Sequence, residues 1–214
     1  MEIRDAVCCY CSMTELMDSL HSVDLRAPEA DASEKLGAKI NVLRAGVLGA
    51  NDGVISVAAV SVGVAAATTN VGVIAAAGFA ALIGGALSMA IGEYVSVSSQ
   101  RDALRFHKTN SSVAADVDPG ADANPWAAAF ASAVSFLVGG ILPLAGATLL
   151  PGAIRIPLTF VIVFAALCLF GVVSARVGGG SSWRATVRMV VGGAIALLTT
   201  FAVGAIFHTS GIVS

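Results

Sequence analysis

Two acidic side chains lie inside otherwise apolar sequence, and they are the residues best suited to do chemistry. Asp52 and Glu93 are the only two of the fourteen acidic residues that fall within the long apolar segments. An ionised carboxylate in hydrocarbon is costly, so such groups usually line a cavity, a proton relay or an ion path. The sequence between Ala45 and Ser99 contains no Lys, Arg or His. It therefore predicts no cationic partner inside the membrane for either acid.

Met89 is a third candidate ligand. It precedes Glu93 by four residues, which places both side chains on one face of a helix. Carboxylate oxygens suit divalent cations, and a thioether favours transition metals over Ca²⁺ or Mg²⁺. We therefore predict a divalent-metal site formed by Asp52, Met89 and Glu93. The alternatives are a methionine that only packs, an acid that reaches the interface, or a neutral Glu that makes one hydrogen bond between helices.

The spacing of these residues from flanking arginines predicts their depth. Asp52 lies eight residues after Arg44, and Glu93 lies eight residues before Arg101. On antiparallel helices this places both carboxylates about 12 Å below the flanking arginines and therefore at one level. Carboxylates also bind protons, so a metal ion and H⁺ could compete for the same site.

The composition predicts an all-helical integral membrane protein. Only 12% of the residues are charged, 57% are hydrophobic, and the mean hydropathy is +0.86. A soluble domain carries about twice that charged fraction, and a net charge of −2 gives no basic surface for nucleic acid. Five apolar segments have the length that a bilayer requires. They are Ala45–Thr68, Val71–Ser98, Trp126–Leu150, Ile156–Ala175 and Thr186–Phe207.

Basic residues predict the orientation of these spans. Nine basic residues lie before the first span, between the second and third spans, or around the turn between the fourth and fifth spans, and these regions are all on one side of the membrane. Arg155, between the third and fourth spans, is alone on the other side. The nine are Lys35, Lys39, Arg44, Arg101, Arg105, Lys108, Arg176, Arg184 and Arg188. We therefore predict a cytosolic N-terminus and a C-terminus in the lumen or exterior.

Residues 1–38 form a polar, predicted cytosolic extension. It has no basic region followed by an apolar core, so it does not resemble a cleavable signal peptide. Cys8, Cys9 and Cys11, with Met13 and His21 nearby, could form a soft metal site, but their spacing differs from the paired cysteines of structural zinc sites. The alternative is a reduced cytosolic tail, and with Cys168 in an apolar segment nothing indicates a disulfide framework.

Two of the apolar segments resemble a known family. The stretches "LRAGVLGANDGVISVAAVSVGV" at 43–64 and "GGALSMAIGEYVSVSSQRD" at 84–102 are similar to the first two helices of the vacuolar iron transporter (CCC1-like) family. The sequences at 124–144 and 171–207 resemble its last three helices. The resemblance covers about residues 39–208.

The resemblance implies a homodimer of five-helix subunits with the ion path at the dimer interface. It implies export of Fe²⁺, and often Mn²⁺, from the cytosol in exchange for protons. Asp52 matches the Asp of the family's "NDG" motif, Met89 matches the Met of "SMA", and Glu93 matches the carboxylate of "GEY". Since Asp52 and Met89 match the family's metal site, we predict that Glu93 carries the proton.

The sequence departs from the full-length family pattern between the second and third spans. Full-length members have a helical cytosolic insertion there, rich in Glu and Met, that captures metal. The connection here, 101–125, has 25 residues and contains neither Glu nor Met. The chain thus resembles the short, nodulin-21-like branch, and we predict that this loop does not store metal.

The sequence therefore predicts a multi-pass membrane transporter whose partners are divalent metal ions, protons, membrane lipid and a second copy of the chain. It lies in the cell membrane if bacterial and in the vacuolar membrane or another endomembrane if eukaryotic. No cofactor is predicted, since Fe²⁺ or Mn²⁺ is the substrate. The sequence shows no nucleophile–base pair near either membrane face, so it does not predict an enzyme. Two alternatives stay open: a channel or carrier for a non-metal solute, and a scaffold or sensor that does not transport.

Overall fold

The computed structural model describes residues 27–110, 124–179 and 181–210, and within these ranges the chain is helical apart from short connections. This confirms the predicted all-helical class, since five helices are long and apolar enough to cross a membrane. The protein is a multi-pass membrane protein. The helices are α1 (Ala27–Ala67), α2 (Val71–Asn110), α3 (Pro125–Leu149), α4 (Gly152–Gly178) and α5 (Ser182–Thr209).

Two helices extend well beyond the apolar segments that predicted them. α1 begins at Ala27, inside the extension assigned to 1–38, and α2 continues to Asn110. Ten residues of the connection assigned to 101–125 are therefore helical. Hydropathy marks only the part of a helix that lies in hydrocarbon, whereas backbone hydrogen bonding continues into water. The predicted cysteine cluster at Cys8, Cys9 and Cys11 and the loop residues 111–123 lie outside the described residues.

Short polar connections end and restart the helices. The Asn70 side chain accepts hydrogen bonds from the backbone N–H groups of Gly72 (2.9 Å) and Val73 (3.3 Å) at the start of α2. Asn124 does the same at the start of α3, where Pro125 is the first helical residue. Each cap satisfies N–H groups that have no partner within the helix. α4 ends at Gly179, whose φ of 66° lies in the left-handed region that favours glycine.

α1 is the central helix of the subunit. It packs against each of the other four helices and most extensively against α3. One side of α1 contributes Val54 and Ala58 to a core shared with α4 and α5, and Val57 lies in a second core with α2 and α3. Half of its most apolar stretch is buried inside the subunit, compared with 22% for α2. Asp52 therefore lies on the helix with the most packing partners among the described helices.

Glycines allow α1 and α3 to approach until their backbones touch. A Cβ atom at Gly49 or Gly53 would overlap the backbone carbonyl of Ser132 or Phe136 on α3. In the reverse direction, a Cβ at Gly139 would overlap the carbonyl oxygen of Ala50. Close packing of this kind joins helices in lipid, where hydrophobicity cannot drive association. It fixes the stretch of α1 that carries Asp52.

α2 lies at the edge of the subunit. Among the described helices it contacts only α1 and α3. Its outward face alternates large apolar residues with small ones, and a Cβ at Gly84 or Gly92 would meet no atom within 4 Å. The helix that carries Met89 and Glu93 therefore presents one face to α1 and α3 and leaves another uncovered by its own subunit.

Candidate functional site

Glu93 is bound by an arginine from the neighbouring helix. The Nη2 atom of Arg44 donates to the Oε1 atom of Glu93 at 2.9 Å, and the Glu93 side chain is nearly fully buried. The same guanidinium also donates to the Oδ1 atom of Asn41, at 3.0 Å from Nη2 and 3.3 Å from Nε. Arg44 therefore connects α1 to α2 and neutralises the buried carboxylate.

This ion pair corrects the prediction that Glu93 has no cationic partner within the membrane. The predicted first span began at Ala45, one residue after Arg44, so the arginine was treated only as a marker of the membrane boundary. Its side chain is long, and the guanidinium reaches Asn41, three residues earlier on α1, as well as Glu93 on α2. The signal in the sequence is a long basic side chain at the end of a span, facing an acid on the antiparallel helix.

Asp52 has a different environment. It is partly buried and accepts a hydrogen bond from the Ser56 hydroxyl, one turn later on α1, at 2.9 Å. No ion pair to Asp52 and no hydrogen bond between Asp52 and Glu93 occurs within the part of the chain that the structure describes. Of the two predicted acids, Asp52 is thus the one whose negative charge is not balanced by a neighbouring cation.

Packing contacts set the register between α1 and α2. Ala45 of α1 shares one cluster with Val97 of α2, and Val57 of α1 shares another with Ala86. The Arg44–Glu93 ion pair is a further contact between the two helices. Because the helices are antiparallel, these contacts bring the stretch of α1 around Asp52 beside the stretch of α2 around Met89. The equal depth of the Asp52 and Glu93 carboxylates stays a prediction.

Met89 lies on the face of α2 that packs into the bundle. It is partly buried and packs against the cluster of Val57, Leu82 and Phe136. The structure therefore places the Met89 thioether beside α1, the helix that carries Asp52. Glu93, one turn further along α2, contacts Arg44.

Asn51, next to Asp52, was not singled out by its sequence. Its Oδ1 atom is buried and has no hydrogen-bond partner within the described residues. Asn51 lines a cavity of about 360 Å³ between α1, α4 and α5, together with Arg44, Ser174 and Met189. A polar residue inside an apolar span was the available signal, but an amide carries no charge and so did not stand out.

The described residues offer few ligands for a divalent cation. Asp52 and Met89 lie on adjacent helices, and Glu93 is held by Arg44. Within the described residues, no three His, Cys, Asp or Glu side chains are grouped closely enough to hold a metal ion. Divalent cations of the first transition row commonly take four to six ligands. The described side chains near Asp52 are therefore too few to complete such a coordination sphere.

Comparison with known proteins places the chain in a family. A sequence profile described as the VIT family matches residues 43–120 and 103–205, which together include Arg44, Asp52, Met89 and Glu93. The chain belongs to the VIT family. This VIT-family chain is also similar to named plant proteins. It is 40% identical over 192 residues to Vacuolar iron transporter homolog 5 of Oryza sativa subsp. japonica, which covers 89% of this chain and 92% of that protein.

Two further relatives of this VIT-family chain give similar figures. Vacuolar iron transporter homolog 1 of Oryza sativa subsp. japonica is 42% identical over 180 residues, covering 82% of this chain and 78% of that protein. Vacuolar iron transporter homolog 2.1 of Arabidopsis thaliana is 40% identical over 171 residues, covering 74% and 78% respectively. The similarity therefore extends over most of the membrane-spanning part rather than over one motif.

Proposed function

We propose that the chain transports divalent metal ions, Fe²⁺ ahead of Mn²⁺, out of the cytosol in exchange for protons. The observation that carries this proposal is the Asp52 carboxylate, which is partly buried in an apolar bundle and has no cationic partner among the described residues. The Met89 thioether packs against the same helix, at Val57. A carboxylate with a thioether is a donor set suited to a transition metal. The names of the relatives support iron as the metal and an endomembrane as the location.

The proposal includes a homodimer with the metal path between the subunits. Two copies of Asp52 and Met89 around a two-fold axis would double the ligands that one subunit offers. The uncovered face of α2 supports this arrangement, because small residues such as Gly84 and Gly92 permit close helix contact. Within its own chain, the helix that bears Met89 contacts only two of the other described helices, α1 and α3.

A second candidate function is a membrane scaffold or sensor that does not transport. The Arg44–Glu93 ion pair favours it to some degree, because the pair joins α1 to α2 as a structural contact would. Asp52 is the residue that the scaffold function leaves unexplained, since its only described hydrogen bond stays within its own helix. A channel or carrier for a non-metal solute likewise gives no role to a thioether beside the helix that carries this carboxylate.

Metal flux into sealed proteoliposomes separates these functions. We expect Fe²⁺ and Mn²⁺ to accumulate inside vesicles that contain the full-length chain, and to accumulate faster when the interior is acidic. Accumulation that does not respond to the pH gradient would contradict the exchange of protons. Vesicles that take up no metal under either condition would support the scaffold or sensor function instead.

Met89→Leu is expected to lower Fe²⁺ and Mn²⁺ flux by at least about tenfold. Residues that only hydrogen-bond to a metal ligand already contribute about that factor to metal affinity or activity. The two side chains have similar volumes, and such exchanges in a packed interior cost less than about 1.5 kcal/mol. Flux and thermal denaturation of the purified variant measure the two effects. Met189→Leu on α5 is the matched control, and equal flux in both variants would show that Met89 only packs.

Glu93→Gln is expected to weaken the response of transport to an acidic interior more than it weakens initial metal binding. The substitution keeps the size of the side chain and a hydrogen-bond acceptor for Arg44 but removes the ionisable group. The measurement is initial flux at several pH gradients.

Arg44→Gln is the companion variant, because it removes the cation and leaves the Glu93 carboxylate in place. It should retain the response to the pH gradient. If Glu93→Gln also retains that response, the proton is carried by another group. If both variants lose it equally, the ion pair acts as a structural contact.

A further inference from the structure

A basic cavity lies between the ends of α4 and α5, apart from the residues proposed for transport. Its volume is about 700 Å³. Arg184 and Arg188 line it, together with Trp183 and the hydroxyl-bearing residues Ser174 and Ser181. It lies at the same end of the bundle as Arg44, since Ser174 also lines the smaller cavity that contains Arg44. None of the proposed steps of metal transport uses these residues.

The positive charge of this cavity is not balanced by the surrounding sequence. Residues 124–210 contain no Asp or Glu, whereas they contain four arginines. Arg184 and Arg188 are one helical turn apart, and neither has an ion pair or a side-chain hydrogen bond within the described residues. Two arginines that line one cavity without an ion-pair partner in the described part of the chain favour an anion there.

The chemistry of the wall favours a phosphate group. Guanidinium groups bind phosphate oxygens through paired N–H donors, and the hydroxyl groups of Ser174 and Ser181 can donate to the same anion. Ser181 is the residue before α5, and its side chain makes no capping hydrogen bond. The first N–H groups of α5 are therefore left without a side-chain acceptor beside the cavity, where they add to its positive potential.

The position of the cavity favours a lipid as the source of that phosphate. Trp183 is 77% exposed, and Val187 and Val191 follow it at four-residue intervals as further exposed apolar residues on α5. On a membrane-spanning helix such an exposed apolar stripe is suited to contact lipid, and Trp183 lies at the helix end, where aromatic side chains favour the membrane interface. The cavity thus opens where a lipid headgroup lies, with acyl chains able to follow the valine stripe.

We propose that the Arg184–Arg188 cavity binds the phosphate of an anionic lipid headgroup. Basic cavities between transmembrane helices on the cytosolic side are suited to such headgroups, and the cytosolic leaflet is the one that carries anionic lipid. The site is independent of metal transport. It belongs to the end of the bundle that the basic residues predict to be cytosolic.

Lipid retained by the purified full-length chain tests this site. The chain is equilibrated with mixed micelles of phosphatidic acid and phosphatidylcholine, and bound lipid is measured by native mass spectrometry. The double variant Arg184→Gln/Arg188→Gln should bind phosphatidic acid at least about tenfold more weakly, because each basic residue contributes several-fold to anionic-lipid binding. Phosphatidylcholine binding should not change.

Arg176→Gln is the matched control, since Arg176 lies at the same end of α4, is exposed and does not line the cavity. Equal weakening in the control and the double variant would mean that net charge alone attracts the lipid, and unchanged binding in the double variant would exclude the site. Arg188→Lys, which keeps the charge, provides an intermediate test if the double variant misfolds: it should weaken binding less than Arg188→Gln. Displacement by glycerol 3-phosphate at the concentration of the lipid would assign the site to soluble phosphates and overturn the lipid assignment.

Discussion

Asp52→Ala is expected to abolish metal transport while the protein remains folded. Asp52 is the partly buried carboxylate without a cationic partner in the described structure, and its removal takes away the negative charge that would replace the hydration shell of a divalent ion. Residues that only hydrogen-bond to a metal ligand already contribute about 10–100-fold to metal affinity or activity. Loss of a ligand itself should therefore lower Fe²⁺ flux by at least about 100-fold. Flux into proteoliposomes measures the loss.

The Asp52→Ala variant should be as stable as the parent chain or slightly more stable, because it removes an uncompensated charge from an apolar bundle. Ser56→Ala is the matched control, since it removes the hydroxyl that donates to Asp52 and leaves the carboxylate. We expect the control to retain most of the flux. Full flux in a well-folded Asp52→Ala protein would exclude Asp52 from the mechanism and, with it, the central observation behind the proposed function.

Gly139→Ala is expected to destabilise the fold strongly, although it adds only one methyl group. The added methyl group would overlap the Ala50 carbonyl oxygen, and a backbone atom cannot rotate away as a side chain can. α1 and α3 would have to separate, at a cost near the upper end of the range for overpacked interiors, about 3 kcal/mol. The midpoint of denaturation in detergent measures this loss. Because Ala50 is two residues from Asp52, the fraction that still folds should also transport metal more slowly.

Gly192→Ala on α5 is the control, because a Cβ atom there meets nothing within 4 Å. In an exposed helical position, alanine is more favourable than glycine by up to about 1 kcal/mol. The control should therefore be as stable as the parent chain or more stable. Equal midpoints for the two variants would show that α1 and α3 are not in backbone contact.

The sequence predicted the fold well because membrane-spanning helices carry a strong and local signal. Each apolar segment reports its own burial in lipid, so the five spans required no knowledge of their neighbours. The ends of α1 and α2 were harder to predict, since polar helix ends and loops have similar composition. The order of the helices was thus predictable, and the full lengths of α1 and α2 were not.

The candidate site was predictable only in part. Asp52 and Glu93 were found because a charge in an apolar segment is visible in the sequence. The partner of Glu93 was not found, because it depends on how far Arg44 reaches and on which residues of α1 and α2 face each other. That register is set by contacts such as Ala45 with Val97, and hydropathy does not encode it. The buried, unpaired amide oxygen of Asn51 was missed for a related reason: whether an uncharged amide is buried depends on its neighbours in the fold.

The backbone contacts at glycines also limit which alleles of this gene can persist. Any missense change in a glycine codon produces a residue with a Cβ atom, so no substitution is conservative where a carbonyl occupies that space. This applies to Gly49, Gly53, Gly139 and Gly204, whose added carbon would meet the backbone of another helix. At Gly152 and Gly192 the same nucleotide changes to alanine or serine meet open space. Missense variants in a population should therefore be found at the codons of Gly152 and Gly192. They should be rare at the codons of the four glycines in backbone contact.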